Sequence, residues 1–318
     1  MTKMFSKKKP YKTGWLEVGE GHKIYYELCG NPKGKPVLVV HGGPGSKIRE
    51  MDRQFFNPKK INAVFFDQRG CGKSKPFGSL KANTTGKLVQ DMKKLLNFLE
   101  IEKTILFGGS WGSTLSLAFA IKFPEKIAGI VLRGIFLGSK KDSNYFIDGP
   151  VKDLFPEAKE RFLALVPEKQ RKNCIAYYFK KMNSKNAEER KKFAFEWDYY
   201  EQSIMVMKPD QKKIMKKLKK EKNYAGALFE TYYFLNNFFM KNNFILKNAH
   251  KLSGIPTTII HGRYDLVCSP LGALKLHKKI KGSELFYTFA GHSSSNEETT
   301  AKLFLEMKKM EKKAKWKK

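Results

Sequence analysis

Gly108, Ser110 and Gly112 form a G-x-S-x-G pattern whose serine could act as a nucleophile. The apolar run at 104–107 predicts a strand before the serine, and the Leu-, Ala- and Phe-rich segment 113–122 predicts a helix after it. A serine on such a strand-to-helix turn projects its hydroxyl from the end of a sheet, and the flanking glycines let the backbone bend. The alternative is a glycine-rich turn without chemistry, because so short a pattern also occurs by chance.

A serine nucleophile needs a base, and the base needs an acid to orient it. Asp265 follows the predicted strand 257–261, and His292 follows the predicted strand 285–289. Parallel strands end at one edge of a sheet, so we expect both side chains beside Ser110. Taken singly, the aspartate could cap a loop and the histidine could lie in a surface loop. In the chain order Ser110, Asp265, His292, which is that of α/β hydrolases, they are interpreted as a catalytic triad.

A second glycine-rich segment, His-Gly-Gly-Pro-Gly from His41 to Gly45, follows the predicted strand 36–40. Gly43 can bring its backbone N–H close to a substrate carbonyl because it has no Cβ. The N–H of Trp111, the residue after the nucleophile, would be the second donor of an oxyanion hole. The alternative for this segment is an ordinary glycine turn.

The elements that must position these residues alternate between strands and helices. A hairpin is predicted at 15–29, and a helix at 85–99 follows from the spacing of its leucines. Further buried strands are predicted at 36–40, 63–67, 104–107, 127–132, 257–261 and 285–289. Between 137 and 250 the alternation stops, and amphipathic helices are predicted, for example at 210–222 and 226–237.

These patterns predict an α/β-hydrolase fold, with a mostly parallel sheet flanked by helices and an inserted all-helical cap. The predicted organisation is a core at 1–137, a cap at 138–250 and a second part of the core at 251–318. A helical insertion in such a chain is expected to cover the carboxyl edge of the sheet, where ligands bind.

Composition narrows the class of protein. With 41% hydrophobic residues in 318 the chain suits a globular fold, and no apolar run is long enough to predict a membrane span. The four cysteines are far apart and predict reduced thiols in the cytoplasm rather than disulfides or zinc ligands. No metal or cofactor is implied.

The net charge of +32 raises the alternative of a basic protein that binds RNA or a membrane surface. Only eight of the 62 basic residues are arginine, the residue that specific nucleic-acid readers favour. Lysines are spread along the whole chain, so a solvated lysine surface is the preferred interpretation. Neither a specific nucleic acid nor a membrane is expected as a partner.

Six motifs resemble those of the prolyl aminopeptidases, also called proline iminopeptidases, and they span 41–293. They are His-Gly-Gly-Pro-Gly from His41, Asp-Gln-Arg-Gly-Cys-Gly-Lys-Ser from Asp67, Gly-Gly-Ser-Trp-Gly from Gly108, Leu-Arg-Gly-Ile-Phe from Leu132, Gly-Arg-Tyr-Asp from Gly262, and Ala-Gly-His-Ser from Ala290. The resemblance implies a serine aminopeptidase that releases proline from peptides with a free N-terminus.

The same resemblance implies a substrate site in the cap. Glu201 and Glu230 match family acids that hold the substrate ammonium, and Phe136, Tyr145 and Phe234 match residues that line an apolar pocket for the proline ring. The alternatives are solvated helix acids and ordinary cap core. A related possibility is an aminopeptidase of broader specificity, or an esterase, with the same fold.

Overall fold

The computed structural model describes residues 4–220 and 225–316. Its centre is a sheet of eight strands in the order β1-β2-β4-β3-β5-β6-β7-β8. The first two strands are antiparallel to their neighbours, and the other six are parallel. The strands are β1 Lys12–Gly19, β2 His22–Gly30, β3 Lys35–Val40, β4 Ile61–Phe66, β5 Thr104–Ser110, β6 Ile127–Ile135, β7 Thr257–Gly262 and β8 Glu284–Thr288.

The α-helices fall into two groups. Four accompany the sheet: α1 Thr85–Phe98, α2 Trp111–Lys122, α11 Pro270–Lys279 and α12 Glu297–Lys313. The other eight lie between β6 and β7: α3 Lys140–Asp148, α4 Val151–Leu154, α5 Pro156–Ala164, α6 Cys174–Met182, α7 Ala187–Ile204, α8 Gln211–Lys220, α9 Ala225–Leu235 and α10 Phe244–Asn248. Short 3₁₀ helices span Glu50–Phe55, Pro124–Lys126, Glu168–Asn173, Asn237–Phe239 and Ala249–Leu252.

Alternating strand residues separate two apolar clusters. In β3, Leu38 and Val40 face the cluster that contains α1, α2 and the inserted helices, whereas Val37 and Val39 face the cluster that contains α12. Both faces of the central strands are therefore covered, as the near-continuous apolar runs in those strands require. Every residue of α2 from Trp111 to Ile121 is buried, which places this helix in the interior directly behind the nucleophile turn.

The model agrees with most predicted elements and differs at the last strand. β8 ends at Thr288 and is mainly half-buried, because it is an edge strand with a neighbour on one side only. The prediction that 285–289 is a buried strand is therefore wrong at its end, where Phe289 is 71% exposed. Residues 221 and 222, predicted to end a cap helix, lie outside the described residues. Within the described ranges, none of the helices is long and apolar enough to cross a membrane.

Candidate active site

The turn between β5 and α2 holds Ser110 in a strained conformation. Its φ of 58° and ψ of −130° lie in a region that non-glycine residues rarely adopt, and such strain is typical of functional turns. A Cβ on Gly112 would lie 2.1 Å from the carbonyl oxygen of Val40, and one on Gly108 would lie 2.5 Å from that of Gly112. The two glycines are thus needed because strand and helix approach each other here without room for side chains.

A continuous hydrogen-bond chain joins the three predicted triad residues. His292 Nε2 lies 3.0 Å from Ser110 Oγ, and His292 Nδ1 lies 2.7 Å from Asp265 Oδ2. The carboxylate accepts from Nδ1–H, which leaves the lone pair of Nε2 directed at the serine hydroxyl. Ser110 lies at the end of β5, and the other two follow β7 and β8, so the sheet edge brings them together as expected.

The acid is held as a carboxylate by its own loop. Asp265 Oδ1 accepts hydrogen bonds from the backbone N–H groups of Val267 and Cys268, at 2.9 and 2.8 Å. Burial would raise the pKa of Asp265, but the adjacent His292, then His261 and the backbone N–H of Cys268, outweigh it and lower the pKa below its usual range. The aspartate therefore stays charged and can stabilise an imidazolium.

A half-buried arginine that has no predicted role fixes the histidine loop. Arg133 Nη1 donates to the carbonyl oxygen of His292 at 2.7 Å and lies 3.4 Å from its Nε2. The guanidinium also occupies the space that a Cβ on Gly109 would need. Arg133 lies two residues before the end of β6 and pairs with Gly109 of β5, which places the Leu-Arg-Gly segment beside Ser110.

The two predicted oxyanion donors both lie next to the serine. Gly43 has a φ of +106°, which favours glycine, and it lines the cleft together with Ser110. Trp111 is the first residue of α2, where backbone N–H groups have no partner within the helix. A Cβ on Gly42 would come within 3.3 Å of Ser110 Cβ, so this loop packs directly against the nucleophile.

Buried side chains tie the two donor segments to each other. Trp111 Nε1–H donates to Gln68 Oε1 at 2.9 Å, and Gln68 Nε2–H donates to the carbonyl oxygen of His41 at 2.9 Å. The backbone N–H of Gln68 donates to His41 Nε2 at 3.0 Å, so Nδ1 carries the proton and donates to the Gly42 carbonyl. Burial lowers the pKa of His41 and favours this neutral form.

The two predicted ammonium ligands meet beside the serine. Glu230 is buried, and its Oε2 accepts from Trp197 Nε1–H at 2.6 Å, while Glu201 is half-buried. Burial raises the pKa of Glu201, and burial together with the neighbouring Glu201 raises that of Glu230 well above its usual range. Two such carboxyl groups are stabilised by a cation placed between them.

An apolar pocket adjoins Ser110 and these two acids. Phe136 and Phe234 line it as predicted, with ring centroids 6.1 Å apart. The third aromatic differs from the prediction. Phe146 lines the pocket, while Tyr145 does not, because its hydroxyl donates to the backbone carbonyl of Asp265 at 2.9 Å and holds the ring behind the acid loop. Val267 and Cys268 complete the pocket.

The pocket opens into a larger cleft of about 630 Å³, which contains Ser110, His292 and both glutamates. Within the described residues one group of side chains, Asp265, Cys268 and His292, has ligand atoms close enough to hold a metal ion. Both oxygens of the aspartate are already hydrogen-bonded, and burial raises the pKa of the Cys268 thiol well above its usual range. The donor set is therefore arranged for proton transfer rather than for metal binding.

Comparisons with known proteins agree with this geometry. Residues 35–299 match the family model described as the alpha/beta hydrolase fold. The chain is 39% identical over 304 residues to the proline iminopeptidase of Arabidopsis thaliana, covering 95% of this chain and 80% of that protein. The chain belongs to the proline iminopeptidase family. A probable proline iminopeptidase of Leptolyngbya boryana is 42% identical over 286 residues, which cover 89% of each chain.

The comparison with solved structures concerns the fold. An esterase from Exiguobacterium antarcticum superposes with a TM-score of 0.66 at 17% identity, covering 93% of this chain and 98% of that one. At this identity the match shows the fold alone. The predicted α/β-hydrolase fold and the resemblance to the proline iminopeptidase family are thus both confirmed.

Proposed function

We propose that this member of the proline iminopeptidase family is a serine aminopeptidase that releases proline from the free N-terminus of peptides. The observation that carries the proposal is the hydrogen-bond chain from Ser110 through His292 to Asp265, beside an apolar pocket that holds the buried Glu230 and the half-buried Glu201. A relative 39% identical over most of the chain carries the name proline iminopeptidase, which supports this substrate class.

The reaction follows from the tautomer of the histidine. His292 Nε2 takes the proton of Ser110 as the serine oxygen bonds to the carbonyl carbon of the first residue. Asp265 stabilises the imidazolium through its Nδ1–H. The imidazolium then gives its proton to the leaving amine as the C–N bond breaks, and an acyl-enzyme forms. Water repeats the sequence and releases the free amino acid.

The developing oxyanion needs two donors that are already in place. We assign this role to the backbone N–H groups of Gly43 and Trp111, which flank Ser110. Loss of one such donor in a comparable site costs about 10²–10³ in rate. The bonds through Gln68 keep both segments fixed, so little reorganisation is needed during the reaction.

Selectivity for a free N-terminus follows from Glu201 and Glu230. A substrate ammonium between them satisfies two carboxylates that burial otherwise disfavours, whereas an acylated nitrogen brings no charge and leaves them unpaired. The rings of Phe136, Phe146 and Phe234 offer apolar surface to a proline ring bound beside Ser110. The clamp and the pocket together favour an exopeptidase over a general esterase.

The helices between β6 and β7 supply both parts of this substrate site. Glu201 lies on α7, and Glu230 and Phe234 lie on α9. We therefore assign 138–250 as a cap over a core formed by 1–137 and 251–318. All four cysteines are free and buried, which supports a reducing, cytoplasmic location.

The test is hydrolysis of a panel of aminoacyl arylamides. We expect strong turnover of prolyl arylamide, weak turnover of the alanyl, leucyl and lysyl compounds, and none of N-acetylprolyl arylamide. Equal turnover of blocked and free proline would refute the aminopeptidase assignment while retaining a serine hydrolase. High activity on esters with none on prolyl arylamide would indicate the esterase alternative.

A further inference from the structure

The active-site cleft has two parts with different electrostatic character. Gly43, Ser110 and the two glutamates belong to both, and the narrow part is otherwise lined by apolar side chains and Cys268. On the proposed function the proline ring fills the narrow part, so the rest of the peptide would lie in the wide part. Five basic side chains line the wide part: Lys47, Arg49, Arg133, Lys217 and Lys220. Besides the shared glutamates, two acidic residues line it, Asp52 and Asp198.

One of these acids is already engaged by an arginine of the cleft. Arg49 donates to both carboxylate oxygens of Asp52, at 3.1 and 2.5 Å, and to Ser294 Oγ at 3.0 Å. These bonds hold the Arg49 guanidinium beside Ser294, which lies two residues after the catalytic His292 in the sequence. Apart from this ion pair and the two shared glutamates, four basic side chains and one acidic side chain, Asp198, line the wide part, which therefore has an excess of positive charge.

Helix α8 contributes further positive charge to the wide part of the cleft. Six of its ten residues are lysine, and two of them, Lys217 and Lys220, lie three apart and so share the face that lines the cleft. Lys217 Nζ donates to Gln202 Oε1 at 3.2 Å. Burial raises the pKa of the neighbouring Glu201, and the charges of His292 and Lys217 offset part of that rise. Lys217 therefore lies near Glu201, one of the two acids proposed to hold the substrate N-terminus.

We propose that Lys47, Lys217 and Lys220, named here the basic rim, select peptides with a carboxylate near the scissile bond. That carboxylate is either the C-terminus of a di- or tripeptide or an acidic side chain directly after proline. The inference rests on the proposed function and adds the chemistry of the peptide that leaves once proline has been cleaved off. A short zwitterionic peptide would place its ammonium at the glutamates and its carboxylate at the basic rim, matching both charges of the cleft.

The experiment measures kcat/KM of the full chain for Pro-Glu-amide, Pro-Gln-amide, Pro-Lys-amide and Pro-Gln with a free carboxylate. Prolyl arylamide, whose leaving group is neutral, tests the proposed function separately. Because a single exposed ion pair changes affinity by about 2- to 5-fold and the factors of two pairs multiply, we expect about a 10-fold preference for each carboxylate-bearing peptide over Pro-Gln-amide. The preference should shrink in 0.5 M NaCl, since salt screens exposed charges.

Matched variants of α8 locate the effect. Lys217→Gln with Lys220→Gln should lower the ratio of the rates for Pro-Glu-amide and Pro-Gln-amide by about 5-fold. The control, Lys216→Gln with Lys219→Gln, removes the same charge from lysines of the same helix that do not line the cleft. It should leave this ratio near that of the wild type. The ratio cancels any effect of Lys217 on Glu201, which acts on all four peptides alike.

The outcomes separate the two proposals. No turnover of prolyl arylamide would refute the proposed function. Turnover of prolyl arylamide with equal rates for the four peptides, at low and high salt, would overturn the basic rim alone. An equal fall of the ratio in both double variants would also overturn it, because the effect would then come from the overall charge of the chain.

Discussion

Gln68 offers the sharpest test of how the oxyanion site is built. Its side chain accepts from Trp111 Nε1–H and donates to the carbonyl of His41, both at 2.9 Å in the interior. Gln68→Met keeps the approximate size and removes both bonds. Because a buried polar group left without a partner costs about 1–3 kcal/mol, the free energy of unfolding should fall by about 2–5 kcal/mol.

The same change should act on catalysis through position. The segments that carry Gly43 and Trp111 lose their link, and a displacement of 1 Å at a reacting centre costs about 100-fold in rate. We therefore expect kcat for prolyl arylamide to fall by about 100-fold with little change in KM, since Glu201 and Glu230 are untouched. Urea unfolding and steady-state kinetics measure the two effects.

A control separates stability from catalysis. Thr299 is buried, and its hydroxyl pairs with that of Thr288 at 2.9 Å, outside the cleft lining. Thr299→Val should lower the free energy of unfolding by about 1–3 kcal/mol and leave kcat unchanged. The reasoning fails if Gln68→Met keeps the wild-type kcat, or if Thr299→Val lowers kcat as much as Gln68→Met does.

Three further predictions concern the carboxyl groups. Asp265→Asn should leave the fold unchanged, as measured by circular dichroism, and lower kcat by about 10⁴-fold, because His292 loses the carboxylate that fixes its tautomer. A loss of kcat under 10-fold would contradict this role. A carboxyl group whose pKa is raised in the folded protein destabilises the fold as the pH rises above its pKa in the unfolded chain. Glu230→Gln should therefore raise the midpoint of thermal unfolding at pH 8 and not at pH 4. An unchanged midpoint at pH 8 would refute the cost of burying this charge. The charge of Glu201 raises the pKa of Glu230, and Glu201→Gln removes that charge. Binding of prolinamide, measured by calorimetry, should weaken on acidification as Glu230 takes up a proton, and in the variant this weakening should occur at lower pH. A shift to higher pH would contradict the coupling.

The strands of the parallel sheet and the location of the triad follow from local patterns. Apolar runs that end at glycine-containing turns specify β3, β5 and β7, and the residues directly after parallel strands meet at one edge. The positions of Ser110, Asp265 and His292 could therefore be predicted without long-range information. The glycines around Ser110 also indicate the turn that holds this serine, because only glycine fits where the strand and the helix approach so closely.

Side-chain direction on the cap helices did not follow from the sequence. Tyr145 and Phe146 are adjacent aromatics on α3, and a rotation of one residue decides which ring faces the pocket. Tertiary contacts settle this, since the Tyr145 hydroxyl bonds to the Asp265 carbonyl. The bonds of Gln68 to Trp111 and to the His41 carbonyl span 43 and 27 positions, so no local periodicity could reveal them.

Formation of the prolyl-enzyme tests the central claim most directly. The protein is mixed with a proline ester, quenched in acid within milliseconds, digested and analysed by mass spectrometry, with Ser110→Ala as the parallel sample. We predict one prolyl group on the peptide that contains Ser110, and neither this adduct nor turnover of prolyl arylamide in the variant. Turnover that persists in Ser110→Ala, or an adduct on another residue, would contradict the account.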